Sequence, residues 1–184
     1  MNVRQLGMDG LLLIEPTRFR DDRGWFAEAW QSERYRACGI THTFVQDNLA
    51  ESRQGVLRGL HAQVPHPQAK LIQVLSGRVY DVAVDARPGS PTFGRWEGVV
   101  LDAEEGFQFY LPAGFLHGYY VLSASALLGY KVSERFYPEH ELTVRWNDPD
   151  IGITWPLTGE PLLSDKDANA PPLGDIALDR LGGL

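Results

Sequence analysis

Between Val56 and Val132 the chain reads as short strands in close succession, and that spacing constrains the fold more than any other feature. Seven runs rich in apolar residues follow one another: Val56–Gln63, Lys70–Leu75, Arg78–Asp85, Arg95–Leu101, Phe107–Leu111, Gly118–Leu122 and Leu127–Val132. Turn formers separate several of them, among them Ser76-Gly77, the Pro- and Gly-containing stretch from Arg87 to Pro91, and Ala113-Gly114. Many short strands punctuated in this way predict a sandwich or a barrel. Upstream, the pattern predicts a strand over Leu11–Ile14 and a turn at Asp21–Gly24. A strand-like run follows from Trp25 to Trp30, with Phe26, Glu28 and Trp30 on one face. Ser32 is placed to cap a short helix that runs through Cys38 and ends at Gly39. A strand over Phe44–Asn48 puts Gln46 and Asn48 on one face, and Glu51–Gly55 reads as a polar turn. Tyr137-Pro138 breaks the strand pattern, and from Asn147 the tail reads as loop, with a short helix from Ser164 through Ala170. There is no internal repeat, low-complexity tract or linker, so one domain over residues 1–184 is expected.

Bulk properties narrow the function. With 184 residues the chain can bury a real core, and 43% hydrophobic against 22% charged residues is ordinary for a globular protein. A net charge of −7 argues against a general nucleic-acid or membrane-surface role, yet leaves room for one small anion held by converging Arg and Lys. No apolar run is long enough to span a bilayer, and no basic segment followed by an apolar one opens the chain, so neither an anchor nor a signal peptide is expected. The single Cys38 leaves no internal disulfide framework and fits a reducing compartment, the cytoplasm.

Two stretches carry the chemistry. The first runs Gly55, five residues, His61-Ala-Gln63, then Lys70. The second runs Gly106, five residues, Pro112-x-Gly114-x-x-His117. Together they resemble the two-part signature of the cupins, which are double-sheet jelly rolls with a pocket between the sheets. The fold implied is all-β, a cupin-type double-sheet jelly-roll barrel with short peripheral helices. A metal cupin takes its ligands from His-x-His, a following Glu and a His of the second motif. Here Gln63 and Lys70 stand at two of those positions, leaving only His61 and His117. A divalent ion wants three or four N, O or S ligands, and a lysine ammonium repels it. A metal-dependent oxygenase is therefore the weaker alternative. A His and a Lys in an apolar barrel suit proton abstraction beside a carbonyl, with the Lys charge holding the enolate.

Taken in order, further motifs resemble the dTDP-4-dehydrorhamnose 3,5-epimerase (RmlC-like) family from about Leu11 to Pro172. They include Asp22-Arg23-Gly24-Trp25-Phe26-x-Glu28, Phe44-Val-Gln46-Asp-Asn48, Leu57-Arg58-Gly-Leu-His61, Gln68-Ala-Lys70-Leu, Pro112-x-Gly-Phe-x-His117-Gly, Tyr130-Lys131, Trp146-Asn-Asp148 and Ser164-x-Lys166-Asp167. The resemblance implies an isomerase that inverts C3 and C5 of dTDP-4-keto-6-deoxyglucose to give dTDP-4-keto-L-rhamnose in deoxysugar synthesis, with no metal or other cofactor. The alternative is an enzyme that inverts only one of those carbons in a specialised pathway. By the same resemblance His61 is the general base, Asp167 orients it, Tyr130 is the acid on the opposite sugar face, and Lys70 with His117 stabilises the enolate. Arg23, Arg58 and Lys166 meet the charged groups of the nucleotide. Glu28, Gln46, Asn48 and Glu141 make polar contacts, and Phe136, with Tyr137 beside it, falls at the position that stacks on the base. The implied partner beyond the substrate is a second copy of the chain. In such a homodimer Arg23, Phe26 and Glu28 act in trans.

Overall fold

A computed structural model describes all of residues 1–184. Thirteen strands form two large sheets and one hairpin. In chain order they are β1 (Asn2–Gln5), β2 (Leu12–Glu15), β3 (Arg18–Asp21), β4 (Gly24–Ala27), β5 (Gln46–Arg53), β6 (Leu57–Gln63), β7 (Lys70–Ser76), β8 (Arg78–Asp85), β9 (Trp96–Asp102), β10 (Gln108–Leu111), β11 (Phe115–Val121), β12 (Ser125–Val132) and β13 (Glu141–Thr143). The helices are short and peripheral: α1 (Ser32–Ala37), α2 (Asp165–Ala168) and α3 (Leu178–Leu181). One sheet has the order β1-β2-β10-β7-β12-β5, the other β13-β6-β11-β8-β9, and every pairing within them is antiparallel. This is the expected all-β double-sheet jelly roll. No helix is long and apolar enough to cross a membrane.

Period-two alternation builds the interior. Ile72 and Val74 of β7, Phe109 and Leu111 of β10 and Leu128 of β12 face Val79 and Ala83 of β8, Leu101 of β9, and Phe115 and Val121 of β11. All are buried, and each large side chain contributes about 1.5–3 kcal/mol before conformational entropy offsets it. The alternate residues of the second sheet, Leu57, Leu60, Val82, Val84, Leu116 and Tyr120, point outward. They are covered by Ile151, Trp155, Leu173 and Leu181 of the C-terminal tail. The tail is irregular, as the sequence suggests, but it is packed: it is the outer layer of that sheet. On the other side, Tyr35 of α1 and Ile40 cover Leu12, Ile14, Leu71 and Tyr110 of the first sheet.

Several element bounds differ from the sequence reading. The strand expected over Phe44–Asn48 begins at Gln46 and runs on to Arg53, through most of the predicted turn at Glu51–Gly55. Its residues are polar, but β12 pairs with it along its whole length and satisfies its backbone. The run Trp25–Trp30 is strand only to Ala27, so Glu28 lies beyond the hairpin. Strands β1, β3 and β13 have no apolar alternation of their own and form because neighbours complete their ladders.

One close approach fixes the site's geometry. A side chain at Gly59 would place its Cβ 2.5 Å from the Gly118 Cα, and Gly59 has φ +129°, so only glycine fits where β6 and β11 touch. The pairing slips just there, between His117 and Tyr119. His117 and His61 end up directly across from one another.

Candidate active site

The two sheets enclose a cavity of about 260 Å³. Its walls follow from the inward alternation. His61 and Gln63 come from β6, His117 and Tyr119 from β11, Asn48 and Ala50 from β5, Lys70 from β7 and Tyr130 from β12. Arg58, Phe136, Glu141 and Lys166 complete the lining.

Asp167 reaches this cavity from outside the barrel. Ser164 caps α2, accepting from the Asp167 backbone N–H at 3.2 Å and donating to Asp167 Oδ2 at 2.9 Å. The other carboxylate oxygen, Oδ1, lies 2.5 Å from His61 Nε2. Burial alone raises the Asp167 value, but the bond with His61 overrides it and holds the carboxyl below its ordinary range. An ionised Asp167 only accepts, so His61 Nε2 carries the proton and Nδ1 is left as the free base. Burial, opposed by Asp167, keeps His61 below the ordinary imidazole value, so the ring is neutral and basic near pH 7.

Lys70 is buried, and its ammonium donates to the His61 carbonyl at 3.3 Å. No carboxylate lies within ion-pair distance of it, and burial, opposed by the charges of Asp81 and Glu141, lowers its value to about 8. A buried cation with donors to spare is poised for an anion. Beside it, His117 Nε2 bonds Asp81 Oδ1 at 2.8 Å, while Asp81 Oδ2 is buried without a partner. Across the cavity stands Tyr130, whose phenol is raised by burial and by Tyr119, with Arg58 pulling the other way.

At the rim, Lys166 pairs with Glu141 at 2.8 Å, and Arg58 is exposed to solvent. Gln46 lies outside the lining. It donates to Asn48 Oδ1 at 2.7 Å and accepts from the Phe136 backbone N–H at 3.0 Å, so it sets two residues that do line the cavity. Phe136, rather than Tyr137, faces the cavity. Tyr137 packs against His66 and His140, whose rings also touch one another, and its backbone N–H is held by Gln63 Oε1 at 2.8 Å. Gln63 also donates to the carbonyls of His66 and Arg135, so its amide is engaged in tying loops together. No three His, Cys, Asp or Glu side chains are arranged to hold a metal ion together.

Arg23, Phe26 and Glu28 are not brought to this chain's own cavity. Arg23 is paired with Asp21 on the hairpin tip, Phe26 is 68% exposed, and Glu28 is paired with Arg34. The hairpin β3–β4 pairs with neither large sheet; Arg18 holds it by donating to the Ala103 and Glu104 carbonyls just beyond β9.

Some functional groups escape the sequence reading. Tyr119 carries no motif of its own, and Asp81, within the family-like run Gly77-x-Val-x-Asp81-Val-Ala-Val-Asp85, reads only as a structural or pocket-edge group. The available signal was periodic: Asp81 sits on the inward face with Val79 and Ala83, and Tyr119 with His117 and Val121. His42, His66 and His140 read as surface residues. His66 is exposed as read, while His42 and His140 are half-buried: His42 Nδ1 lies 2.7 Å from the Tyr110 hydroxyl, and His140 packs with His66 and Tyr137.

A cupin-type barrel whose cavity joins an oriented imidazole base, a facing phenol and a buried ammonium defines an isomerase that moves protons beside a carbonyl. The chain belongs to the dTDP-4-dehydrorhamnose 3,5-epimerase family, whose model matches residues 5–175. It is 47% identical over 176 residues to the dTDP-4-dehydrorhamnose 3,5-epimerase of Pseudomonas aeruginosa, covering 95% of this chain and 97% of that one. Among solved structures it is similar to dTDP-6-deoxy-D-glucose-3,5-epimerase from Legionella pneumophila in complex with dTDP-4-keto-L-rhamnose. The TM-score is 0.95 at 49% identity, with 97% of this chain and 95% of that chain covered. It is also similar to a 3'-monoepimerase from Streptomyces bikiniensis in complex with dTDP-quinovose. There the TM-score is 0.88 at 42% identity, covering 97% and 90%.

Proposed function

We propose that this chain inverts C3 and C5 of dTDP-4-keto-6-deoxyglucose, giving dTDP-4-keto-L-rhamnose for deoxysugar synthesis. The observation that carries the reading is the His61–Asp167 pair facing Tyr130 and Lys70 across one cavity. The electron pair of the C–H bond passes into the carbonyl as His61 Nδ1 takes the proton. Asp167 holds the imidazolium that forms. The enolate oxygen is met by the Lys70 ammonium, with His117 beside it. Tyr130 then returns a proton to the carbon from the other side, which inverts it. This chemistry needs no metal and no redox group. Arg58 and Lys166 meet the diphosphate, Phe136 stacks on the base, and Asn48 and Glu141 take polar groups of the substrate. Gln46 acts by holding Asn48 and Phe136.

The protein works as one domain of residues 1–184, as a homodimer in the cytoplasm. Support for the dimer comes from the hairpin, unpaired with either large sheet, which exposes Phe19, Trp25 and Phe26 and holds Arg23 away from its own cavity. In the dimer Arg23, Phe26 and Glu28 complete the partner's site. Mixing Arg23→Ala chains with His61→Ala chains then restores activity that neither variant has alone.

The deciding experiment is incubation with dTDP-4-keto-6-deoxyglucose in D₂O, read by NMR. Deuterium at C3 and C5 with both centres inverted is expected. Deuterium at one carbon only replaces the double inversion by a single one, a second reading favoured by the likeness to the 3'-monoepimerase. No exchange at either carbon overturns the catalytic assignment.

A further inference from the structure

The cavity contains two phenols, and the chemistry above uses one. Tyr119 lines the same cavity as Tyr130 but comes from the wall that carries His61 and His117. It is 4% exposed, and its hydroxyl lies 3.2 Å from Ser52 Oγ. Ser52 is itself 6% exposed and accepts from Arg58 Nε at 3.1 Å. A line of polar contacts therefore runs from a fixed positive charge, through a buried hydroxyl, to the second phenol. Packing alone does not call for it: at this position the ring fills the core, and the hydroxyl brings a polar atom that must be satisfied. The Tyr130 hydroxyl, by contrast, makes no hydrogen bond within the chain. The two phenols are close enough that charge on one opposes ionisation of the other, while Arg58 favours both phenolates.

We propose that Tyr119 acts through Tyr130, restoring its proton between the two inversions. After the first inversion Tyr130 is a phenolate and His61 an imidazolium. The second inversion cannot begin until both are reset. Tyr119 gives its hydroxyl proton to Tyr130 directly or through a water in the cavity. The charge left on Tyr119 is held by the Ser52 hydroxyl and by Arg58. His61 returns its proton to water, Tyr119 takes one from water, and no proton is gained or lost over the cycle. Tyr119 is thus a supporting residue whose effect falls on the second carbon, and this role rests on the double-inversion reading.

The test compares wild type, Tyr119→Phe and Ser52→Ala in D₂O, following each carbon separately with time. Tyr119→Phe keeps the ring, so melting temperature and KM stay near wild type. The expected result is a first inversion at wild-type rate and a second slowed by about tenfold or more, with singly inverted sugar accumulating. Ser52→Ala gives the same partition more weakly. Wild-type partition between one and two inversions in Tyr119→Phe overturns the role. So does a change confined to KM, which makes the hydroxyl a binding contact. If wild type itself inverts one carbon only, the double-inversion reading fails first, and is seen to fail without any variant.

Discussion

Two carboxylate–imidazole pairs face one cavity, and they are built in opposite ways. In the first, His61 is on a strand and Asp167 on a capped turn of helix brought in by the C-terminal tail. Both oxygens of Asp167 are engaged, one by His61 and one by Ser164. In the second, His117 and Asp81 sit on neighbouring strands β11 and β8, and one oxygen of Asp81 has no partner. A fully engaged carboxylate fixes a tautomer and supports a full positive charge on the ring, which a base needs. The charge of the half-engaged Asp81 acts on the buried Lys70 ammonium from beyond ion-pair distance and raises its value, which helps keep a cation charged in a place that disfavours it. In the proposed mechanism the same two residue types thus serve base catalysis in one pair and oxyanion stabilisation in the other.

The largest test of this contrast is removal of the base. His61→Ala lowers kcat by about 10²–10⁴-fold, and Asp167→Asn falls in the same range, both measured as inversion rates by NMR. Asp81→Asn loses less than Asp167→Asn; equal losses would erase the distinction. Next is the buried ammonium. Lys70→Met, which removes an oxyanion donor, costs about 10²-fold in kcat, while exchange of the ring proton with D₂O slows in parallel.

The pH profile of kcat/KM separates the pairs further. His61 acts when neutral, and its folded value is depressed, so activity rises with pH through a point below 6.5. Lys70 acts when charged, so activity falls as pH rises through about 8. Asp81→Asn moves the falling limb downward and leaves the rising limb in place. Asp167→Asn does the reverse, shifting the rising limb and leaving the falling one.

Asp85 serves as the structural control, with the smallest effect on activity. Burial alone would raise its value, but bonds from Arg87, Ser90 and Thr92 override this and hold it at about 2, from an ordinary 3.8. Its contribution is present above pH 3.8 and is lost as pH falls through about 2. Asp85→Asn therefore lowers stability at pH 7 by about 2 kcal/mol, measured by denaturant unfolding, while kcat of the folded variant is unchanged.

How much of this was legible follows from where each signal lies. The barrel strands and the His61, Lys70 and His117 positions declare themselves through alternation and two spaced glycine motifs. The His61–Asp167 contact spans 106 residues and comes from a tail that has no periodicity, so only resemblance pointed to it. Asp81 could be read as an acid on an inward face, but not as the partner of His117, because strand order is a property of the closed sheet. Strand β5 was read short because its residues are polar, and its extent is decided by β12. The hairpin carries no pattern that ties it to the cavity, and its expected place in a partner's site came from the resemblance alone.

The tail that covers the outer face of the second sheet also carries Asp167, which holds the proposed base His61. Loss of that layer does not require the sheets to part, since their shared core lies on the opposite face. Heating or mild denaturant can release residues near Asp167 as a separate cooperative unit, with amide exchange there preceding exchange in β7 and β8. The protein is then inactivated before it melts, and an activity half-life measures detachment of the tail rather than survival of the barrel.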